Sequence, residues 1–597
     1  MAEEVAPAPP EYTPSVAMST TDKIDDNEEE PYVHDQLPDV EEVRTRAASF
    51  LNLADTTHRE NQRLARLRSR VTPKLLKWVF WVGLVLMLVA IIILVVGLTR
   101  QSSQPVVLQR GQVEDFLVRN GIATRAELSD DSSPQWDAVS WLTQLDGTGS
   151  EPLPADGAET VYFIQRYVLV VLFYATDGSN WVHSRNLLTA DRNTCGWNSR
   201  VIVDGDRIFQ LGATCVGNSK VTKLQIPWTK LKGDLPREIG YLTNLDFLAL
   251  HHNLLMGRLP DEYQLLTDMD YLALHSNQLI GTLPSWLDQL TLLRVIGLGS
   301  NLLEGTIPPA FDEFTELVTL GLDNNDFEGD LANLQNLKKM TRLYLNGNSF
   351  VARLDTVHLL AMRELEELDL SENSLEGTIP VDFFQFPKLR ILDLNDNQLS
   401  GKLPLGLYDR APALNYLALN FNDLVGPIVE TISDLNNLTH LDLSGNEFTG
   451  FIPEDLGRKL TNLRYLFLAD NPFLQAGIPD FSKLTKLEDL SMKGTNRTGE
   501  MPAFTQLKNL IMLDFDDNAL SGEIPMELSE LSNLEYLFLN RNEQLTGKVP
   551  TDVQNLPSLS KSVRVCLCNR GILVLTAGLC LFRRNHSSSS HVHYGQS

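Results

Sequence analysis

The side chains of this chain that could do chemistry recur on one stencil. They stand six, four, two and one residues before a periodic asparagine, and they fall into three zones. The first holds Phe247, His251 and His252 beside Tyr271 and His275. The middle carries Asp323, then Glu367, Asp369 and Glu372, then Asp393 and Asp396. The distal zone mixes Tyr416, Phe421, Tyr465, Phe467 and Asp470 with Asp514, Asp516 and Asp517, then Tyr536, Phe538 and Arg541. Aromatics beside acids suit a peptide or sugar ligand, because rings supply apolar area at low entropy cost and carboxylates fix cations or hydroxyls. A solvated face without a ligand is the alternative for any single zone. His251 and His275 share a column and could share a metal, but two histidines without a third ligand do not make a site. The middle acids could chelate calcium or act as a glycosidase pair. Calcium sites gather on a tight loop and catalytic carboxylates need a desolvated cleft, and an open, exposed face offers neither. No nucleophile elbow, phosphate loop or zinc-ligand helix is present, so neither enzymatic activity nor a cofactor or metal is expected.

What positions these residues is a repeat, L-x-x-L-x-L-x-x-N-x-L-x-G-x-I-P, written fourteen times between Val221 and Pro550 with a step near 24 residues. Its asparagines are Asn253, Asn277, Asn301, Asn325, Asn348, Asn373, Asn397, Asn422, Asn446, Asn471, Asn518 and Asn542, with Thr229 and Thr495 in the same place in the first and twelfth copies. Such a period marks a solenoid whose units cannot bury their apolar faces alone. The L-x-L core is a strand of period two, leucines inward and x residues outward. The asparagine amide can donate to and accept from buried backbone, which stacks into a ladder along the array. Glycine relieves crowding at the bend and proline sets φ where no donor is needed. Strands about 4.8 Å apart spread the x positions along a face roughly 65–70 Å long.

The form with G-x-I-P resembles the plant-type leucine-rich repeats of receptor-like kinases, receptor-like proteins and cell-wall enzyme inhibitors. The resemblance implies an α/β solenoid, a horseshoe of about 14–15 repeats with strands lining a concave face and a second sheet or 3₁₀ segments beside it. It implies a binding scaffold without naming the ligand.

Formal net charge is −27 over 597 residues, and residues 1–77 hold 15 acids and 10 bases. An acidic array argues against nucleic acid and favours cationic partners. Residues 1–42, with 13 acids and six prolines, bury too little apolar surface to order. Residues 43–70 read as a basic helix that meets anionic lipid or docks a cytosolic or co-receptor partner. The uncharged run Trp78–Thr99 spans 22 residues, roughly 33 Å of helix, enough to cross a bilayer core. Seven Arg and Lys from Arg59 to Lys77 precede it and far fewer follow, which places the N terminus in the cytosol and the rest outside or in a lumen. No cleavable leader precedes the run, so a single-pass, type II signal anchor is expected, in the plasma membrane or an endomembrane.

All five cysteines lie beyond the span, Cys195 and Cys215 at the start of the array and Cys566, Cys568 and Cys580 after its end, where covalent caps suit an oxidising compartment. Sequons at Asn437, Asn496 and Asn585 are glycosylation candidates there. Residues 100–158 read as a juxtamembrane linker with short helices near Gln112–Asn120 and Ser133–Leu145. Residues 159–220 read as the N-terminal cap, with Glu159–Tyr174 as a helix over the open leucine core, too short and too charged by Arg166 for a second span. The repeats occupy 221–558, and 559–597 holds a degenerate last repeat, a cap and a polar tail.

Ser133-Pro134-Gln135-Trp136, Trp141-Leu142, Gln165-Arg166-Tyr167-Val168-Leu169, Tyr174-Ala175-Thr176-Asp177-Gly178, Trp181 and Cys195-Gly196-Trp197 form a series. It resembles the N-terminal cap of membrane-anchored leucine-rich-repeat proteins of diatom-type algae. The plant cap, closed by a tryptophan and two cysteines, implies a Cys195–Cys215 disulfide. Nineteen residues separate the two cysteines where the plant pattern has a few, so Asn198–Gly212 is expected to bulge out as an inserted loop. The function expected is a receptor-like protein that binds an extracellular peptide, glycan or protein. The alternatives are an adhesion or wall scaffold and an inhibitor of extracellular hydrolases.

Overall fold

The computed structural model describes residues 108–145, 158–182, 188, 194–203, 207–217, 220–354, 359–405, 411–547, 549–554 and 556. The tail 1–77, the expected span 78–99 and the C-terminal stretch 559–597 with Cys566, Cys568 and Cys580 lie outside them. Among the described residues no helix is long and apolar enough to cross a membrane.

The array is held by its asparagines. Asn397 donates from Nδ2 to the carbonyls of Leu370 at 3.0 Å, Leu394 at 3.2 Å and Asn395 at 3.0 Å, while its Oδ1 accepts from the Leu375 amide at 2.9 Å. The same four bonds recur from Asn277 to Asn446 with only small changes of distance. Where threonine replaces asparagine, its hydroxyl keeps part of the pattern: Thr229 donates to the Ile226 carbonyl at 3.1 Å and Thr495 to that of Met492 at 2.6 Å. The residue before each asparagine turns left-handed, as at Ser276 (φ 55°), Glu372 (φ 51°) and Phe421 (φ 53°), which swings the chain out of the strand and into the core.

These turns stack the L-x-L strands into one sheet of 16, of which the 14 repeat strands run parallel from Lys220–Gln225 to Tyr536–Phe538. Shorter parallel sheets flank it, formed by segments such as Leu302–Gly305 and Asp326–Gly329. Proline-led 3₁₀ turns such as Asp261–Leu265 and Ser285–Gln289 close many of the units. Gly305 shows why the motif keeps glycine: its φ is +86°, and a Cβ there would lie 2.9 Å from Thr282 Cγ2 of the preceding repeat. The leucines form one continuous buried core from the first helix to Leu556.

The open N-terminal end is covered by α1 (Arg110–Arg119), α2 (Arg125–Ser129), α3 (Pro134–Ser140) and α4 (Ala158–Ala175). Residues Tyr167 to Leu172 of α4 are fully buried against the first repeats, as a cap helix requires. Gln165 accepts the Val221 amide at 3.0 Å, and Arg166 lies against the rings of Trp141 and Trp197 at 5.2 and 4.8 Å. The stretch read as linker is corrected from Leu108 to Leu145: Val113, Phe116, Leu117, Val139 and Leu142 belong to the same core, and Arg237 of the first repeat reaches Glu127 at 2.8 Å. Its polar composition hid this, because only one side of each short helix is apolar.

Cys195 and Cys215 are disulfide-bonded. The intervening stretch does not bulge out. β1 (Asn198–Val203) and β2 (Arg207–Val216) form an antiparallel hairpin, and β2 pairs antiparallel with β3 (Lys220–Gln225), the first repeat strand. An uncovered edge of β3 would leave a row of unpaired N–H and C=O groups, and the hairpin satisfies them. Gly212, at φ +106°, allows the close approach, since a Cβ there would meet the Trp197 carbonyl oxygen at 2.2 Å.

Replacing Asn397 by alanine should lower stability by about 1–3 kcal/mol, because buried backbone groups lose their partners. Asn397→Thr should lose less, as the native threonines at 229 and 495 keep one carbonyl contact. Urea denaturation followed by circular dichroism checks both; an unchanged midpoint in Asn397→Ala would remove the ladder from the account of stability.

Candidate ligand-recognition surface

Parallel pairing carries the x residues onto the concave face in two main columns. Residues six before the asparagine run Phe247, Tyr271, Val295, Thr319, Arg342, Glu367, Ile391, Tyr416, His440, Tyr465, Asp489, Met512 and Tyr536. Residues four before it include Tyr344, Asp369, Asp393, Ala418, Asp442, Phe467, Ser491, Asp514 and Phe538. Register therefore decides which side chains touch.

In the first zone Phe247 stacks on Tyr271 at 4.1 Å and His251 on His275 at 4.5 Å, with Trp228 stacked on His252 at 5.0 Å. Phe247 with Tyr271 and His251 with His275 are thus two stacked pairs on neighbouring strands. Glycines follow at 297, 299 and 321, and the Asp323 carboxylate lies over Gly299, where a Cβ would be 2.2 Å from its Oδ1. The Asp323 carboxylate accepts from Asn324 Nδ2 at 3.0 Å, and its charge helps to raise the Asp369 carboxyl.

The middle acids do not share one open, exposed face, and that expectation is corrected in part: Glu372 and Asp396 are exposed, whereas Glu367 and Asp393 are buried and Asp369 is half-buried. Glu367 and Asp393 are each only 9% exposed. Strands spaced about 4.8 Å apart crowd neighbouring side chains and exclude water from between them. Asp369 and Asp393 stand directly opposite each other. Asp369 accepts from Ser371 (amide N 3.0 Å, Oγ 2.6 Å) and Asp393 from Asn395 (amide N 3.1 Å, Nδ2 2.6 Å) and the Tyr416 hydroxyl. Burial pushes both carboxyls up, and for Asp369 the charge of Asp393 adds to it. Glu367 accepts from Tyr344 and pairs with Arg390 at 2.6 Å.

In the distal zone Tyr416 stacks on His440 at 4.3 Å, and His440 also meets Tyr465 and Phe467, both at 5.7 Å. Burial holds the imidazole neutral, its pKa down at about 4. Burial also raises Asp442, Asp489 and Asp514 to about 6. Tyr536 and Phe538 lie 6.3 Å apart at the far end. Tyr344, His440, Asp442 and Trp228 were missed by the sequence reading, although the same offsets from Asn348, Asn446 and Thr229 point to them. Among the described residues no group of three or more His, Cys, Asp and Glu is arranged to hold a metal ion. Asn437 and Asn496 are exposed, their amides donating to the Pro412 and Phe473 carbonyls.

Residues 373–570 match the model of a leucine-rich repeat region and 333–399 that of a leucine rich repeat. The chain carries leucine-rich repeats. No curated protein matches it. Its fold is similar to that of the plant peptide hormone receptor RGFR1 in complex with RGF2, with 31% identity, a TM-score of 0.52, and 57% of this chain against 54% of that one. It is also similar to the PEPR1–AtPEP1 structure, with 30% identity, a TM-score of 0.51, and 57% of this chain against 51% of that one. A TDR receptor is similar at 26% identity and a TM-score of 0.50, over 56% of this chain and 66% of that one. The chain spans about half the length of the first two. The likeness to these three structures is one of fold, a leucine-rich-repeat solenoid.

The buried acids make stability depend on pH. Carboxyls raised in the folded state bind protons that the unfolded chain has released, so stability falls as pH rises from about 4 through about 6 or above. His440 acts oppositely, since the unfolded chain takes up its proton below 6.5 while the folded one does not until about 4. Several carboxyls outweigh one imidazole, so thermal unfolding should move to higher temperature between neutral pH and about pH 5.5. Asp369→Asn should flatten that slope in a differential scanning series, and a slope of the opposite sign would contradict the burial of these acids.

Proposed function

We propose that this chain is a membrane-anchored, receptor-like recognition protein whose leucine-rich repeats bind a peptide or protein ligand on the concave face. The observation that carries the reading is the concave strip itself. Stacked rings and half-desolvated carboxylates occupy the solvent-side columns of the sheet, where a solvated face would place scattered, freely hydrated polar groups. Rigid aromatics and fixed acids are the groups that give an extended ligand both contact area and register. The likeness to peptide-hormone-receptor ectodomains supports a peptide over a glycan.

In this reading the type II arrangement of diatom-type algal proteins holds. Residues 78–99 anchor the chain, the repeats face outward from the plasma membrane or into a lumen, and residues 1–77 recruit a cytosolic or co-receptor partner. The chain itself has no catalytic domain, and Asn437 and Asn496 carry glycans. The concave-face residues Phe247, His251, Tyr271, His275, Asp323, Asp369, Asp393, Tyr416, Tyr465, Phe467, Tyr536 and Phe538 form the contact strip.

Selection of a displayed random-peptide pool against the full-length protein tests the reading. Enriched peptides should lose about tenfold or more in affinity when Tyr416 or Phe467 is changed to alanine, the size expected for a buried aromatic anchor. A pool that fails to enrich, or enriched peptides indifferent to every concave substitution, would sink the proposal. Protease protection on intact cells, with epitopes before residue 78 and after residue 99, tests the orientation separately.

A further inference from the structure

The geometry points to a notch on the concave face, between Asp393 and Asp442, that receives the guanidinium of an arginine side chain from a peptide ligand. This inference rests on the recognition reading above and names the chemistry of one of its contacts.

The notch follows from register. Asp393, Ala418 and Asp442 stand opposite one another on three consecutive strands, so two carboxylates flank a single buried methyl. Two strand spacings put their backbones about 10 Å apart. At that offset the strand between carries only the Ala418 methyl, while the Tyr416 hydroxyl of the same strand bonds Asp393 at the edge of the space. A planar cation that reaches both acids would lie over Ala418. Tyr416 and His440 form the adjoining wall, two rings stacked at 4.3 Å with an interplanar angle of 15°.

Three features of the wall and the acids call for a donor-rich cation. First, among the described residues no ion pair reaches Asp393 or Asp442, although other acids of the array, Glu367, Glu488, Asp470 and Asp517, each have one. Second, the amide and the hydroxyl of Ser444 both donate to Asp442 at Oδ1, so these bonds do not occupy Oδ2. Third, His440 is 8% exposed, and among the described residues its ring makes aromatic contacts and no hydrogen bond. A neutral imidazole keeps one acceptor nitrogen that an incoming donor can use. A guanidinium carries five N–H donors in a plane and no acceptor, so it can serve carboxylates on both sides and an imidazole nitrogen at once, with its flat face against the rings. An ammonium has three donors and no plane. Burial without a counter-cation holds Asp442 at about 6 and raises Asp393, a cost that an incoming cation removes.

The test uses the full-length protein and three capped tripeptides, acetyl-Gly-Arg-Gly-amide and its Lys and Gln counterparts, together with spermidine, by saturation-transfer NMR at neutral pH. The arginine peptide should bind at least about tenfold more tightly than the lysine peptide, and the glutamine peptide should not bind. Asp393→Asn and Asp442→Asn should each weaken the arginine peptide by about tenfold. Ala418→Leu, which fills the notch without altering a charge, should abolish binding, and Asp514→Asn, three strands beyond His440, should leave it unchanged. Thermal unfolding of every variant confirms that each is folded. Absent binding of the arginine peptide, equal binding of spermidine or the lysine peptide, or full binding by Ala418→Leu overturns the notch. Selected peptides that contact the concave face without an arginine would remove the notch and leave the recognition reading standing.

Discussion

One side-chain amide, repeated along the array, carries the rest of the structure. Each ladder asparagine satisfies backbone groups of its own turn and of the neighbouring repeat, so the chain can leave the strand, turn left-handed and re-enter the core without orphaned carbonyls. That requirement fixes the spacing of the strands and the direction of every side chain between them. Leucines have nowhere to go but inward, and the intervening residues have nowhere to go but the concave face.

The same constraint makes the concave face a chemical surface. Parallel strands in strict register bring like positions of successive repeats side by side, so a sequence that writes aspartate at one offset in consecutive repeats builds two opposed carboxylates, Asp369 and Asp393. Aromatics at another offset build a stack, Tyr416 on His440. Neither group is near the other in sequence, and the environment of each is set by what the next repeat places beside it. A small residue then acts as a spacer: Ala418 separates Asp393 from Asp442 and opens the space that the flanking acids border.

A solenoid pays for this regularity at its ends, where the leucine core and the first strand edge are open. Here α4 covers the core, the β1–β2 hairpin covers the edge, and the disulfide joins the start of the hairpin to its second strand. The helices α1 to α3 add a second layer, tied to the first repeat by the Arg237–Glu127 ion pair. Their apolar residues merge with the core of the repeats, so cap and array form one continuous packing unit.

By itself the sequence determined the repeat, the ladder residues, the cap helix and the offsets from which concave residues can be read. Each of these is periodic or local: leucine spacing, the amide chemistry of asparagine, an apolar stretch of helical length. His440, Asp442 and Tyr344 were legible by the same offsets, while Trp228 needed Thr229 to be read as a ladder position. Only the tertiary structure decided that β1 and β2 pair instead of looping out, that Glu367 and Asp393 are buried, and that Asp393, Ala418 and Asp442 align. Those outcomes depend on which backbone edge lies next to which and on how closely neighbouring repeats crowd. Register between strands some 24 residues apart is settled by hydrogen bonding across the whole stack, and no single stretch of sequence contains it.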